Sequence, residues 1–364
     1  MSALGDEIKA MIAAEGPMTV ERYMELALGH PEHGYYMGRD PFGASGDFIT
    51  APEISQMFGE LLGLWAAETW TLMGRPVPVR LIELGPGRGT LMSDALRAAR
   101  IVPDFRAAID VTLIEISPTL AEIQHDTLLT AGAPIGWAPT LAEAPEGPAI
   151  VIANEFLDAL PVRQYVRSGG RWRERIVRLD KSGALKFGVE TESEPFILAG
   201  GEEGDVLEVN PSGHRLVFEL AGRLAKQGGV ALFVDYGHPV TSLGDTLQAL
   251  RAHRMVDPLL DPGEADITAH VDFAAMSRSA RAAGAAVHGP IDQGDFLRAI
   301  GLDARARALT ERAPPERAGE FEAARQRLAG KDAGEMGALF KAMAIANRAL
   351  PPPPGFEMGL ERSR

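Results

Sequence analysis

Near-continuous apolar runs at 81–84, 111–114, 149–153 and 230–235 stand between amphipathic stretches along this chain. Runs of this kind, rich in Val, Ile and Leu, are the pattern of strands buried on both faces. From 79 to 154 they alternate with helical periodicity, the βαβ rhythm of a parallel sheet. Upstream, residues 3 to 28 predict two short helices split by Gly16-Pro17, with Thr19 as an N-cap and Gly29-His30-Pro31 as a stop. A loop rich in glycine and aromatics follows. Within it, Thr50-Ala51-Pro52-Glu53 has the form of a capping box, with proline in the first turn of a helix running to about Met73.

From 162 to about 210 the pattern changes to short alternating strands (163–166, 171–179, 185–190) with Ser-Gly-Gly and Lys-Ser-Gly turns, which predicts an inserted β-hairpin unit. The parallel pattern resumes with a helix over 213–227 and a strand over 230–235. A hairpin near 246–256, a helix beginning at Asp272, a strand near 285–289, a charged helical segment over 303–332 and a last strand over 339–345 complete it. Pro351 to Pro354 make a stiff extended tail, and the chain carries no internal repeat. The expected divisions are therefore 1–75, 76–161, 162–211, 212–350 and 351–364: helical segment with a covering loop, first part of the core, β unit, second part of the core with a helical extension, and Pro-rich tail.

Composition narrows the chemistry. At 364 residues with 46% apolar content, the chain can bury a sizeable core. Its 36 Lys and Arg against 50 Asp and Glu give a formal charge of −14, which argues against broad nucleic-acid or anionic-membrane binding and leaves room for a cationic substrate. With no cysteine, disulfides, thiolate catalysis and Cys-type zinc sites are excluded. No apolar run reaches membrane-spanning length, and the start, with Asp6, Glu7 and Lys9, lacks the character of a signal or transit peptide, so a cytoplasmic or matrix location is expected. Nothing in the pattern indicates an oligomeric state.

The run Glu83-Leu84-Gly85-Pro86-Gly87-Arg88-Gly89-Thr90-Leu91 reads as a strand breaking into a glycine turn that opens a helix, a form suited to a nucleotide-like ligand. A Walker A loop would need Lys and Ser or Thr after the last glycine, and Thr90-Leu91 stand there. A dinucleotide fingerprint would need glycine at position 90; the third glycine falls one residue early, which weakens that reading without removing it. The remaining pattern, acidic-x-Gly-x-Gly-x-Gly, resembles motif I of class I S-adenosylmethionine-dependent methyltransferases, in which Glu83 would complement the ligand's ammonium. A second run, Val111-Thr112-Leu113-Ile114-Glu115, ends in a carboxylate about thirty residues after the first glycine, where doubly wound folds hold ribose hydroxyls.

Two later strand ends carry acids: Asn154-Glu155-Phe156-Leu157-Asp158-Ala159-Leu160-Pro161 and Asp235-Tyr236-Gly237-His238. In an open α/β sheet they share one crevice with the glycine turn. Glu155, Asp158 and Asp235 together would concentrate negative charge, which a guanidinium would offset while being held in a fixed plane. Taken singly, Asn154 closing a turn and Asp158 capping a helix explain these residues as well. His270 lies between Asp266 and Asp272, yet one His-x-Asp is not metal spacing, no metal is expected, and Asp272 is more simply the N-cap of the next helix. His30 and His33 carry no more. The alternation Arg171-Trp172-Arg173-Glu174-Arg175 puts the arginines on one face of a strand, the pattern of a solvated hairpin.

The order of motifs identifies a resemblance over roughly residues 3 to 355. Gly46-Asp47-Phe48-Ile49-Thr50-Ala51-Pro52-Glu53-Ile54-Ser55, the Glu83 to Thr90 turn, Asn154 to Pro161, Val234-Asp235-Tyr236-Gly237 and Ile267-Thr268-Ala269-His270-Val271-Asp272-Phe273 resemble the MidA family of class I methyltransferases, which includes the mitochondrial complex I assembly-factor methyltransferase. The resemblance implies an α/β fold: a Rossmann-like class I methyltransferase sheet with an N-terminal helical segment, an inserted β-hairpin unit and a C-terminal helical extension. It implies S-adenosyl-L-methionine as cofactor and symmetric dimethylation of an arginine on the quinone-proximal subunit of NADH dehydrogenase during assembly. Matched by motif, Glu83, Gly85, Pro86, Gly87, Gly89, Glu115 and Asn154 would bind the cofactor, with Asp47, Thr50, Pro52 and Glu53 packing over it. Glu155, Asn154, Asp158, Asp235 and His270 make up the implied catalytic set, with Asn154-Glu155 facing the methyl group. The Ala-rich, cysteine-free chain looks bacterial, so the mitochondrial substrate carries over by analogy. A non-catalytic assembly chaperone that kept the fold and an NAD-dependent dehydrogenase stand as the rival readings.

Overall fold

The computed structural model describes residues 2–41, 43, 46–47, 49–195, 197 and 200–357; Phe48 of the first motif and the end of the expected tail, 358–364, lie outside the described residues. Among the described residues the main sheet has eight strands, seven of them in one continuous row: β1 (Val79–Leu84), β2 (Ile109–Ile114), β3 (Ile135–Ala138), β4 (Ala149–Asn154), β5 (Gly229–His238), β6 (Ala286–Asp292) and β7 (Phe340–Ala346). Their spatial order is β3-β2-β1-β4-β5-β7-β6. β1 to β5 run parallel, and β7 enters antiparallel between β5 and β6. The two-residue strand Val271–Asp272 pairs with the end of β5. Every residue of β4 is buried, as its unbroken apolar run requires.

This order places the site. From β1 the chain moves outward to β2 and β3, then returns to β4 on the other side of β1. The carboxyl ends of β1 and β4 therefore flank the point where the winding reverses, where open α/β sheets leave a crevice. The glycine turn leaves β1 and Asn154-Glu155 ends β4, so sequence order alone brings the two motifs together.

Helices cover both faces. On one side Gln56–Leu72, Thr90–Ala98, Leu302–Arg312 and Ala318–Ala329 share a core with alternate residues of the sheet. On the other, Pro211–Gln227 and Phe273–Ala282 do the same. Gly63 lets the first two helices of the first side touch, since a Cβ there would stand 2.5 Å from the carbonyl oxygen of Ala95.

One expectation fails here. The single helix from Thr50 to about Met73 is two pieces, Ala51–Ile54 and Gln56–Leu72, separated by the extended residue Ser55. The expected capping box does not form: Thr50 makes no side-chain cap, and Ser55 Oγ instead accepts from the Met57 N–H at 3.2 Å. The physical reason is competition, because the Glu53 carboxylate is engaged by Thr90 on the glycine turn.

A third core joins the helices Ala3–Glu15 and Val20–Gly29, capped as expected by Thr19, to the inserted β unit. That unit is an antiparallel sheet of Arg163–Ser168, Arg171–Leu179, Leu185–Val189 and Val206–Val209, edged by Met18–Thr19. In Arg171–Leu179, Trp172, Glu174 and Ile176 are buried on one face, while on the other Arg171 is exposed and Arg173 and Arg175 are half-buried. A three-stranded sheet, Arg254–Val256, Gln248–Arg251 and Asp266–Thr268, closes against the same core. Among the described residues no helix is long and apolar enough to cross a membrane.

Candidate active site

Above the carboxyl ends of β1 and β4 lies a cavity of about 690 Å³. The turn on its floor needs glycine: Gly85, Gly87 and Gly89 have φ of 63°, 53° and 80°, a left-handed conformation costly for other residues. Gly85 is also pressed against Phe156, whose Cδ2 would lie 2.6 Å from an added Cβ. Gly85, Pro86 and Gly87 line the cavity. Gly89 stands back from it and starts the helix Thr90–Ala98.

Glu83, inside β1, is 2% exposed, and its Oε2 has no hydrogen-bond partner among the described residues. Burial pushes its carboxyl up to about 8. A buried acid facing a cavity with an unused oxygen is a receptor for a cation or a donor. Glu115 follows β2 directly. Its Oε1 accepts from the N–H groups of Ile116 and Ser117, both at 2.8 Å, and its Oε2 accepts from Gln124 Nε2 at 2.8 Å. Oε1 is filled by these two donors, and Oε2 retains capacity for a further one, so the carboxylate suits a ribose hydroxyl. Beside it Ile116, Leu120 and Pro139 make an apolar wall. Gln124 also donates to the carbonyl of Gly87 at 2.8 Å, bracing the turn against Glu115. Gln124 and this wall escaped the sequence reading, because a helix face carries no motif. An acid for an ammonium, an acid for a ribose hydroxyl, an apolar wall for a base and a glycine floor fit S-adenosyl-L-methionine.

The covering segment is fastened at three points. Thr90 Oγ1 donates to Glu53 Oε1 at 2.6 Å, and Arg88, held by Asp40 at 2.7 Å, lies 3.6 Å from Glu53. Across the crevice the Ala51 N–H donates to Glu155 Oε1 at 3.0 Å. Thr50, Pro52 and Glu53 line the cavity, whereas Asp47 does not. The Asp47 carboxylate is spent on the Tyr35 hydroxyl at 2.8 Å and the Ala252 N–H at 2.7 Å, which ties the segment to the small sheet's hairpin.

On the β4 side the expected residues divide. Asn154, Glu155, Asp158 and His270 line the cavity; Asp235 does not. Asp235 is 1% exposed, and its Oδ2 accepts from the N–H groups of Phe156, Leu157 and Asp158 at 3.1, 2.8 and 3.3 Å. It holds the loop after β4 from beneath instead of facing a substrate. Asn154 Nδ2 donates to Glu155 Oε1 at 3.1 Å. Glu155 itself has a left-handed φ of 50°, a strained conformation for a non-glycine residue. Burial pushes its carboxyl up to about 8, with the neighbouring Asp158 adding to the effect. His270 packs edge-on against Tyr236, and burial lowers its pKa; Asp272 caps the following helix as expected. Asp266, Tyr36 and Tyr236 also line the cavity. Asp266 and Tyr236 stand in or beside the quoted motifs without a role of their own and Tyr36 stands in none, since Tyr36 and Asp266 come from distant segments that meet only through the third core.

Seven carboxylates line this cavity, from Glu25, Glu53, Glu83, Glu115, Glu155, Asp158 and Asp266. Apart from His270, the cationic residue among the described lining is Arg88, which is engaged by Asp40 and Glu53. Such a wall is costly unless a cation enters.

Residues 61–291 match the model of a family described as "Putative S-adenosyl-L-methionine-dependent methyltransferase". The mouse mitochondrial protein arginine methyltransferase NDUFAF7 is 39% identical over 348 residues, covering 88% of this chain and 78% of the relative. The human protein of the same name is 39% identical, covering 83% and 74%, and the Drosophila melanogaster homolog is 36% identical, covering 94% and 84%. A crystal structure from Burkholderia thailandensis bound to S-adenosyl-homocysteine has a TM-score of 0.83 and 30% identity, covering 97% of this chain and 94% of that one. Over most of its length, then, this chain belongs to that family of S-adenosyl-L-methionine-dependent methyltransferases.

Proposed function

We propose that this chain methylates an arginine side chain of a protein partner, by symmetric dimethylation of the quinone-proximal subunit of NADH dehydrogenase as respiratory complex I assembles. The observation that carries the reading is the cavity wall, in which carboxylates from separate segments face a common space and Arg88 is already engaged. The names of the relatives, protein arginine methyltransferases, agree with it. The reaction would then take place where the complex assembles, which for a bacterial chain is the cytoplasm and for the mitochondrial relatives the matrix.

Bound S-adenosyl-L-methionine supplies a methyl group on a sulfonium, and its transfer to a guanidinium nitrogen forms an N–C bond, breaks the C–S bond and liberates one proton. The chain's residues supply the rest. Glu83 and Glu115 hold the two ends of the cofactor, and Thr50 to Glu53 close over it and exclude water. Asn154 and Glu155, at the end of β4, border the space between cofactor and substrate. Carboxylates fix the plane of the guanidinium so that one nitrogen points at the methyl, and an ionised carboxylate there takes the released proton.

The decisive measurement is mass spectrometry of complex I from wild-type and deletion strains. Methylarginine present on the quinone-proximal subunit only in the wild type is the expected result. Identical spectra would remove the substrate assignment.

A further inference from the structure

Beyond Glu155, two more carboxylates on the cavity wall bear on the substrate: Asp158, a member of the implied catalytic set with no separate task there, and Asp266, which stands outside that set. Asp158 lies in the loop after β4, and Asp266 opens the strand Asp266–Thr268 of the small sheet. They are 5% and 7% exposed. The buried Oδ1 of Asp158 has no hydrogen-bond partner among the described residues, although the residue faces the cavity. The rest of the pair is anchored. The Tyr36 hydroxyl donates to Asp266 Oδ1 at 2.7 Å, and Tyr236 is hydrogen-bonded to Asp158. The Ala269 N–H donates to the Asp158 carbonyl at 3.0 Å, tying one acid's loop to the segment just beyond the other's strand. Both carboxylates line the same cavity, and the charge of Asp158 raises the proton affinity of Asp266. Arg39, whose charge reaches Asp266, is taken up by Asp47 at 3.6 Å and Glu264 at 3.4 Å and lies over the Tyr35 ring.

We propose that Asp158 and Asp266 are the seat of the substrate's guanidinium, with the hydroxyls of Tyr36 and Tyr236 fixing the two carboxylates, and that Glu155 stands outside this grip. The inference rests on the arginine reading above and deepens it. Two acids brought in by separate segments suit a planar fork with five donors, whereas an ammonium presents a compact point charge. A tyrosine hydroxyl on each acid restricts its rotation and leaves the remaining lone pairs for the ligand. Leu339, Phe340 and the ring of Tyr236 then offer an apolar lane for the aliphatic stem. Glu155 is differently occupied, by the Ala51 N–H and the Asn154 amide.

Calorimetry on the full chain saturated with S-adenosyl-homocysteine tests this, with butylguanidinium as probe and butylammonium as comparison. The wild type is expected to prefer the guanidinium. Asp158→Asn and Asp266→Asn should each weaken it about 10- to 100-fold, the loss expected of one charge-assisted contact, while S-adenosyl-homocysteine affinity is unchanged. Glu155→Gln should keep the guanidinium affinity. Unchanged affinity in both Asn variants, or an equal loss in Glu155→Gln, overturns the seat. Should the Asn variants lose S-adenosyl-homocysteine as well, Tyr36→Phe decides, because it retains both carboxylates: weaker guanidinium binding supports the seat and unaltered binding overturns it. The two readings fail separately. A wild type that holds butylguanidinium through these residues yet leaves complex I unmethylated defeats the arginine substrate alone; methylation with a KM indifferent to Asp158 and Asp266 defeats the seat alone.

Discussion

The backbone N–H of Ala51 donates to the carboxylate of Glu155 across the mouth of the crevice, at 3.0 Å. This bond joins the covering segment to the end of β4, while Thr90 fastens the same segment to the glycine turn through Glu53. Glu155→Ala removes the acceptor and leaves an amide unpaired, at about 1–3 kcal/mol. The covering segment should then close less often, with cofactor affinity falling roughly 10-fold. Glu155→Gln retains an acceptor and should bind cofactor nearly as well as the wild type. Titration with S-adenosyl-L-methionine separates the two, and equal losses would show that the carboxylate's charge matters instead of its bond to Ala51.

Gly85 and Phe156 come together by contact. With φ at 63° and Phe156 Cδ2 2.6 Å from where a Cβ would stand, Gly85→Ala is strained in its backbone and crowded in its side chain. The backbone term is about 1 kcal/mol, and the clash adds to it by pushing Phe156 into the cavity. Gly85→Ala should lose cofactor binding with little change in melting temperature, because the turn is at the surface of the core. Gly85→Ala with Phe156→Ala should regain part of the affinity. No recovery in the double variant would assign the defect to the backbone alone.

Asp235 supports the loop after β4. Three N–H groups converge on its Oδ2, and that of Tyr236 reaches Oδ1 at 2.9 Å. Asp235→Ala strands these donors in a buried place, which costs about 3–5 kcal/mol. Chemical denaturation should show this loss directly. Asp235→Asn keeps an acceptor oxygen and should sit between the two. A variant as stable as the wild type but inactive would return Asp235 to the substrate-facing role that its position at a strand end suggests.

The strands were legible because burial on both faces leaves an unbroken apolar run, as in β4. Glu83, Glu115 and Glu155 were legible because each sits beside a strand end whose place in a doubly wound sheet is known. The break at Ser55 was not, since the Thr50-to-Glu53 spacing meets the local rule and only the tertiary bond to Thr90 redirects Glu53. Asp235 misled for a related reason: the chain after β4 must find acceptors for its buried N–H groups, and no local pattern says which neighbouring strand provides them. The partnership of Asp266 with Tyr36 was not legible, because their hydrogen bond joins residues far apart in sequence.

The acids of the cavity give the protein a pH dependence whose sign differs for stability and for binding. Burial pushes Asp266 up to about 7, with Asp158 and Asp47 adding to it and the Tyr36 hydroxyl and Arg39 opposing. Asp158 is likewise raised by burial, and Glu155 reaches about 8. Folded values above the ordinary 3.8 and 4.5 mean that the folded chain keeps protons which the unfolded chain has released. Their contribution to stability is full below the ordinary values and is lost as pH climbs through 7 and 8. Without ligands, stability should fall from pH 6 to 8.5, by at most about 1.4 kcal/mol per pH unit for each proton involved. A guanidinium seated on Asp158 and Asp266 requires those two carboxyls ionised, so its affinity should rise over the same interval and its binding should release protons. Denaturation midpoints at several pH values, and calorimetry in buffers of different ionisation enthalpy, measure the two trends. Asp266→Asn should flatten both. Slopes of one sign in stability and in affinity would mean that the carboxyls of this wall do not exchange their protons for the bound cation.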